Sequence, residues 1–417
     1  MKRWPASPIF LFFLGFCVAL SPYLYWSMCE KDNPYVYEIS YYPAWIWSIG
    51  FVSFSAGALI VKGGVRPNVV AGTSSTEREN AKRVLLVLLL TYWIGTASVV
   101  GGVYGGIPLL GYIRGSVEVN EVNQVQTTAL GGHLGFVLAS CFALMMALVV
   151  YLRNLANFTA GHKVIAIAVI MSIVVNSTIA GKRQVLAMLV VELACLFSLS
   201  GASFRQAVSA LMPFGLSGKV LGMIVAISFL YLGFYTFGFL AAVRTGLDPS
   251  SVSAIATGID QVVLYLQLPL INFEVQTEVC GWGPGADNFW GPFLNLIPNR
   301  LQQSFILDQV LLELPPRAEP TIGSGFYELV HWFWGIKGIV VFSVLCGALC
   351  QWLYVKSASN SIALAVYCHF AWTLISAHMY NHFLLLVFGV IPVAIFLGTT
   401  LLIGGSNVLS YGFQAKR

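Results

Sequence analysis

Runs of about twenty apolar residues recur along this chain of 417 residues, and they constrain its fold more than any other feature. A helix of about twenty residues spans the hydrocarbon layer of a membrane. Only 9% of the residues are charged, whereas a soluble domain carries about a quarter, which excludes a soluble enzyme and a nucleic-acid-binding protein. The expected fold is an all-α polytopic membrane protein, with residues 1–417 as a single integral membrane domain. The predicted transmembrane helices lie near residues 7–26, 42–61, 84–104, 132–151, 164–180, 185–201, 220–240, 336–355, 362–380 and 383–404.

The placement of charged residues predicts the orientation of these spans. If the N-terminus is cytoplasmic and the spans alternate, 14 of the 22 Lys and Arg residues face the cytoplasm, whereas 14 of the 17 acidic residues face the other side. Positive residues collect on the cytoplasmic side of membrane proteins. We therefore expect both termini in the cytoplasm. Lys2 and Arg3 precede the first apolar run, which is expected to be an uncleaved helix.

A long external loop, residues 242–335, joins the seventh and eighth predicted spans. It contains one helix-like apolar stretch, Ile259–Phe273, between segments rich in Gly and Pro. Long loops in compact proteins usually have a function or are disordered, and the aromatic content here argues against disorder. We expect this loop to fold over the external face as a cap or a partly re-entrant lid.

The eight cysteines do not form a disulfide scaffold. Cys29 and Cys280 lie in predicted external loops, where a disulfide between them is possible. The other six lie in apolar runs and are expected to act as small hydrophobic residues: Cys17, Cys141, Cys195, Cys346, Cys350 and Cys368.

Two cations occupy an unusual place between the fifth and sixth predicted spans. Lys182 and Arg183 lie on the acidic external side, where they could hold an anion such as a lipid diphosphate. Alternatively, their side chains reach lipid headgroups; the unusual placement favours the anion site. Glu192 lies within the sixth span. It is expected to be either a functional carboxylate or a protonated structural group.

A second group of candidates lies where the chain enters the eighth span. Glu328 and His331 are three residues apart, so they share one helical face. A carboxylate and an imidazole there could serve as a general base. Tyr327 belongs to an aromatic group that could stack on sugars or form an interfacial belt.

Other candidates lie in external segments. Arg244, Arg300 and Arg317 of the external loop could clamp phosphates or make ordinary ion pairs. His378 and His382, at the end of the ninth span, could hydrogen-bond a substrate at the rim of a cavity, since no third ligand for a metal is evident. His369 lies deeper and is expected to be a satisfied core residue.

These features resemble those of the bacterial oligosaccharide repeat-unit polymerases, the Wzy-type O-antigen polymerases. In that family a turn typified by Gly-Ser-Arg closes a hairpin, and a Tyr followed by an aromatic-Gly pair and a second Gly opens a late span. Lys182 replaces the small residue of that turn. The matching residues of this chain are Gly181, Arg183, Tyr327, Trp334, Gly335 and Gly338, together with the stretch 265–269.

The resemblance implies a metal-independent glycosyltransferase with GT-C-like architecture at the periplasmic face of the bacterial inner membrane. Such an enzyme joins oligosaccharide repeat units carried on undecaprenyl diphosphate and needs no cofactor. Its partners would be the lipid-linked donor and acceptor, membrane lipids and a chain-length regulator. Arg183, with Lys182 and a loop arginine, would stabilise the departing diphosphate, and Glu328 or His331 would act as the base.

Three alternatives remain open. An O-antigen ligase shares the architecture and the donor but transfers to lipid A-core. A lipid-linked oligosaccharide flippase or other transporter needs no base, but such proteins usually show internal repeats, and none is visible here. A non-catalytic subunit of a polysaccharide assembly complex is the third.

Overall fold

The computed structural model describes residues 6–28, 40–61, 75–104, 133–153, 159–179, 183–200, 266–277, 325–378, 383 and 388–404. These residues form helices and no strand, which confirms the predicted all-α class. The helices are α1 (Pro8–Met28), α2 (Tyr42–Ile60), α3 (Ser75–Tyr104), α4 (His133–Leu152), α5 (Ala160–Ile179), α6 (Arg183–Ser200), α7 (266–277), α8 (Glu328–Lys356), α9 (Ser361–Ile375) and α10 (Val390–Gly404).

The predicted spans overlap helices in the described part of the chain, but the ninth, predicted to reach 380, ends at Ile375, because residues 376–378 form a bend and a turn; the span near 220–240 lies outside the described residues, as do Cys29 and Cys280. The last helix begins at Val390 rather than near 383, because described residues 383 and 388–389 form turns.

The six cysteines expected to be small hydrophobic residues carry free thiols, and all except Cys17 are buried. Two described helices, Tyr42–Ile60 and Glu328–Lys356, are long and apolar enough to cross a membrane, by length and composition. The ten-span topology stays a prediction.

The chain divides into two compact units. The first contains residues 1–70 and 263–391, and therefore α1, α2, α7, α8 and α9. The second contains residues 71–262 and 392–417, and therefore α3 to α6 and most of α10. Within the second unit α3 packs against α4, and Gly95 is needed there because a Cβ would lie 2.8 Å from the Val137 side chain.

Helices α2 and α8 of the first unit touch through glycines. A Cβ on Gly57 would lie 2.0 Å from the carbonyl oxygen of Val344, and one on Gly347 would lie 2.0 Å from that of Phe54. Small residues that let two backbones approach this closely are typical of helix pairs in membranes. The opposite faces of the two helices expose Leu59 and Leu345 among other large apolar side chains, as lipid-facing surfaces do.

Helix α8 is two helices joined by a sharp reversal at Gly335. That residue has φ 60° and ψ −153°, a conformation that favours glycine. The Ser343 hydroxyl lies 3.1 Å from the Tyr327 hydroxyl, although in a continuous helix their Cα atoms would be about 24 Å apart. Residues 328–334, here called the fold-back segment, therefore run back alongside residues 336–356. The predicted start of the eighth span, at 336, coincides with this reversal.

The contacts within the first unit define the helix directions. Tyr23 of α1 donates to the Ser40 carbonyl just before α2, so α1 and α2 are antiparallel. Tyr367 of α9 donates to the Ala6 carbonyl at 2.5 Å, and a Cβ on Gly15 would meet the Leu374 carbonyl, so α1 and α9 run in the same direction. Residues 336–356 precede α9 through a short turn and run opposite to it, with the Tyr354 and Tyr367 rings 5.4 Å apart. They therefore run in the same direction as α2.

Candidate functional site

Two non-helical stretches meet inside the first unit, and together they are here called the junction: residues 325–327 and 376–378. The backbone N–H of Phe326 donates to the Ala377 carbonyl at 2.7 Å. Gly325 has φ 87°, and a Cβ there would lie 2.9 Å from the His378 carbonyl oxygen. Non-helical backbone inside a membrane bundle is tolerated only where protein buries it or where it lines a water-filled cavity. At the junction Phe326, Tyr327 and Ala377 are buried by protein.

Tyr327 anchors the junction to α2. Its buried hydroxyl accepts a hydrogen bond from Ser343 at 3.1 Å, and its ring meets the Trp47 ring edge-on at 5.1 Å. The hydroxyl lies against Gly50, where a Cβ would come within 1.9 Å of it. Burial raises the pKa of the Tyr327 hydroxyl well above its usual range. Gly50 lies eight positions after the first residue of α2. The Tyr327 hydroxyl therefore lies about 12 Å from the start of α2, measured along the axis of that helix.

The fold-back segment carries the two predicted bases. Glu328 and His331 are both buried, with exposed fractions of 6% and 1%. Nε2 of His331 lies 3.0 Å from the hydroxyl of Tyr42, the first residue of α2. Nε2 can accept from the phenol or donate to it, and in the second case Nδ1 is the acceptor that can take a further proton. The Phe273 ring lies 5.0 Å from the imidazole, so His331 has aromatic groups on two sides.

Helix α7 holds the starts of α2 and α8 together. The Gln276 side-chain amide donates to the Glu328 carbonyl at 3.1 Å, and the Glu274 carboxylate accepts from the Ser40 backbone N–H at 2.9 Å. Gln276 is fully buried. This helix overlaps the apolar stretch 259–273 predicted within the external loop. The part of that loop which the structure describes therefore packs beside the predicted bases.

Four predicted site residues lie together in the first unit. Tyr327, Glu328 and His331 follow one another at the start of α8, and His378 contacts the same turn through Gly325. Arg183 is the first residue of α6 in the second unit, and its side chain lies outside the described residues, as do Lys182, Arg244, Arg300, Arg317 and His382. That these cations join Glu328 and His331 at one site stays a prediction.

Two other predicted residues have defined surroundings. His369 is buried and its Nε2 lies 2.7 Å from the Phe388 carbonyl oxygen, which confirms a satisfied core residue. Glu192 is buried within α6 of the second unit. Both interpretations of Glu192 remain open.

Sequence reasoning missed Tyr42, Phe273 and Gln276. Tyr42 and Phe273 look like ordinary members of apolar runs, and they approach His331 only because Gly335 reverses the chain. Gln276 lies three positions after the end of the predicted apolar stretch 259–273, so the sequence offered no signal of its burial.

The arrangement combines a buried carboxylate, an imidazole oriented by a phenol, and aromatic rings. Such groups can accept a proton from a hydroxyl and pack against a sugar ring. Among the described residues, no group of three His, Cys, Asp or Glu side chains could hold a metal ion. Comparison with protein families, with curated proteins and with solved structures finds no match to this chain.

Proposed function

We propose that this chain is a polytopic glycosyltransferase of the bacterial inner membrane that polymerises oligosaccharide repeat units carried on undecaprenyl diphosphate. The reaction would take place at the periplasmic face, beneath the external loop. The observation that carries the proposal is the fold-back segment, which buries Glu328 and His331 in an apolar helix bundle and brings His331 beside the phenol of Tyr42. Buried ionisable groups in such a bundle are costly and usually functional.

The helix directions support the proposed topology. Helices α1 and α9 share one direction, and α2 and residues 336–356 share the opposite one. In the predicted topology the first and ninth spans run outward and the second and eighth run inward. That assignment puts the start of α2, the fold-back segment and α7 on the periplasmic side. The external loop would then lie on the same side as the acidic residues.

The proposed reaction is a glycosyl transfer by one displacement at C1 of the donor sugar, without a metal. Glu328 or His331 accepts the proton of the acceptor hydroxyl, and that oxygen forms a bond to C1 of the donor sugar. The bond between C1 and the diphosphate oxygen breaks, and undecaprenyl diphosphate leaves as an anion. Cations from Lys182, Arg183 and a loop arginine would stabilise this charge. A positioned base contributes about 10²- to 10⁴-fold to such a rate.

Isosteric substitutions of the predicted bases test the proposal in cells. Glu328→Gln and His331→Gln keep the size of each side chain but remove the base. We expect loss of the long-chain ladder on a glycan gel at unchanged protein abundance, with single-repeat-capped lipid A preserved. His162→Gln is the matched control, because His162 lies in the second unit, where its Nδ1 lies 2.6 Å from the hydroxyl of the nearby Thr159.

The pattern of loss separates the alternatives. If neither variant changes the ladder, the assigned bases are wrong. If capping of lipid A disappears together with the ladder, the chain acts as a ligase. Accumulation of repeat units on the cytoplasmic side would instead indicate a flippase.

A further inference from the structure

The end of α9 contains several buried polar atoms without a hydrogen-bond partner among the described residues: the indole N–H of Trp372, the hydroxyl of Thr373 and both ring nitrogens of His378. Thr373 and His378 are only 1% and 8% exposed. The imidazole interacts with the backbone of Ile375, but neither nitrogen reaches hydrogen-bonding geometry with a described residue. Buried polar groups are nearly always paired, so a cluster of unpaired ones points to an absent partner.

Neighbouring polar groups on the same helix are satisfied. The Ser376 hydroxyl donates to the Trp372 carbonyl at 2.9 Å, and His369 lies 2.7 Å from the Phe388 carbonyl oxygen. The unpaired atoms are therefore confined to a few side chains within residues 372–378. They are not a general feature of α9.

His378 belongs to the junction, and Trp372 and Thr373 lie in the last turn of α9 directly before it. The His378 carbonyl lies against Gly325, and the Gly325 carbonyl accepts from the Glu328 backbone N–H at 3.4 Å. The Gln276 amide, which donates to the Glu328 carbonyl, has a side-chain oxygen that is also buried and unpaired among the described residues. The backbone of a predicted base, Glu328, is therefore hydrogen-bonded to the residue that the His378 carbonyl contacts.

The unpaired groups are neutral donors and acceptors. The cations among the described residues of the first unit are Lys337 and Lys356, and both are exposed. A diphosphate would need charged or multiple fixed donors, whereas amide, hydroxyl, indole and imidazole groups match sugar hydroxyls. We propose that Trp372, Thr373 and His378 form a subsite for a sugar ring of the lipid-linked glycan, distinct from the diphosphate site. This assignment rests on the proposed function, because that function supplies the glycan.

Binding measurements on the full-length chain in nanodiscs test the subsite. One probe is the repeat-unit oligosaccharide released from its lipid by mild acid, and the other is undecaprenyl diphosphate without a sugar. Thr373→Val removes the hydroxyl at nearly constant shape. We expect it to weaken oligosaccharide binding about three- to tenfold, as for one lost hydrogen bond, with undecaprenyl diphosphate binding unchanged.

Thr400→Val is the matched control, because Thr400 is also buried but its hydroxyl already donates to the Phe396 carbonyl at 2.7 Å. It should leave both affinities unchanged. His378→Phe, which removes both ring nitrogens, provides a second variant if Thr373→Val fails to fold.

Four outcomes are decisive. Unchanged oligosaccharide affinity in Thr373→Val and His378→Phe would overturn the subsite and leave water as the partner. A selective loss of undecaprenyl diphosphate binding would assign these groups to the diphosphate instead. Wild-type protein that binds neither probe would overturn both proposals. If the subsite variants lose oligosaccharide but Glu328→Gln and His331→Gln still polymerise, the subsite stands and the proposed catalytic bases fail.

Discussion

Gly50→Ala tests the packing that fixes Tyr327 at the junction. The new Cβ would lie 1.9 Å from the Tyr327 hydroxyl oxygen, 2.2 Å from Cζ and 2.6 Å from Cε2. Contacts of a Cβ below 3.0 Å essentially do not occur in proteins, so the ring must move by about 1 Å or more. The Trp47 ring and the Ser343 hydroxyl oppose that movement.

Overpacking of this kind costs about 1–3 kcal/mol, while replacing a helical Gly by Ala gains up to about 1 kcal/mol of helix propensity. Gly398→Ala separates the two effects, because a Cβ at Gly398 of α10 meets nothing within 4 Å. Both variants gain the propensity, so the difference between them measures the clash. We expect Gly50→Ala to be less stable than Gly398→Ala by about 1–3 kcal/mol.

Thermal unfolding in detergent, followed by intrinsic fluorescence, ranks the variants. The ranking is repeated in a Tyr327→Leu background, where the clashing hydroxyl and ring are absent. There Gly50→Ala should be neutral or stabilising. The reasoning is refuted if Gly50→Ala equals Gly398→Ala in the wild-type background, or if its penalty persists unchanged in the Tyr327→Leu background.

Three further predictions concern the fold-back segment and the topology. Gly335→Ala should destabilise the protein by about 1–3 kcal/mol, because its φ and ψ suit only glycine; stability equal to wild type in thermal unfolding would disprove the reversal. Tyr42→Phe should lower the initial rate of polymerisation about three- to tenfold, because it releases His331. In a His331→Gln background, Tyr42→Phe should cause no further loss of rate. An alkaline phosphatase fusion after Gly285 should be active and one after Thr76 inactive, and the reverse pattern of activity would reject the orientation.

The sequence predicted helix positions well because apolar runs and their ends are local properties. The described helices overlap the predicted runs, although α3 begins at Ser75 rather than 84 and α9 ends at Ile375 rather than 380; the break at Gly335 falls where the eighth apolar run begins. Glu328 and His331 could be proposed together because they are three positions apart. Their burial could not be predicted, since it depends on α2 and α7, which are distant along the chain.

Long-range pairing explains what the sequence did not reveal. The reversal at Gly335 requires a positive φ. Among the described residues only Gly325 and Gly335 are glycines with a positive φ, and the sequence does not distinguish them from the other glycines of the 40 in this chain. Only the folded chain distinguishes Gly50, which accommodates Tyr327, from Gly398, which borders open space. The unpaired groups of Thr373 and His378 are likewise invisible in sequence, because a threonine in an apolar helix usually bonds its own backbone, as Thr400 does.

Reconstitution tests the central claim most directly. The purified chain in proteoliposomes is supplied with undecaprenyl-diphosphate-linked repeat units, without nucleotide and with a metal chelator. We predict release of undecaprenyl diphosphate in step with a ladder of lengthened glycans, and loss of both in Glu328→Gln or His331→Gln. If the wild-type chain leaves the repeat units unjoined, or if both variants extend them at the wild-type rate, the account is contradicted.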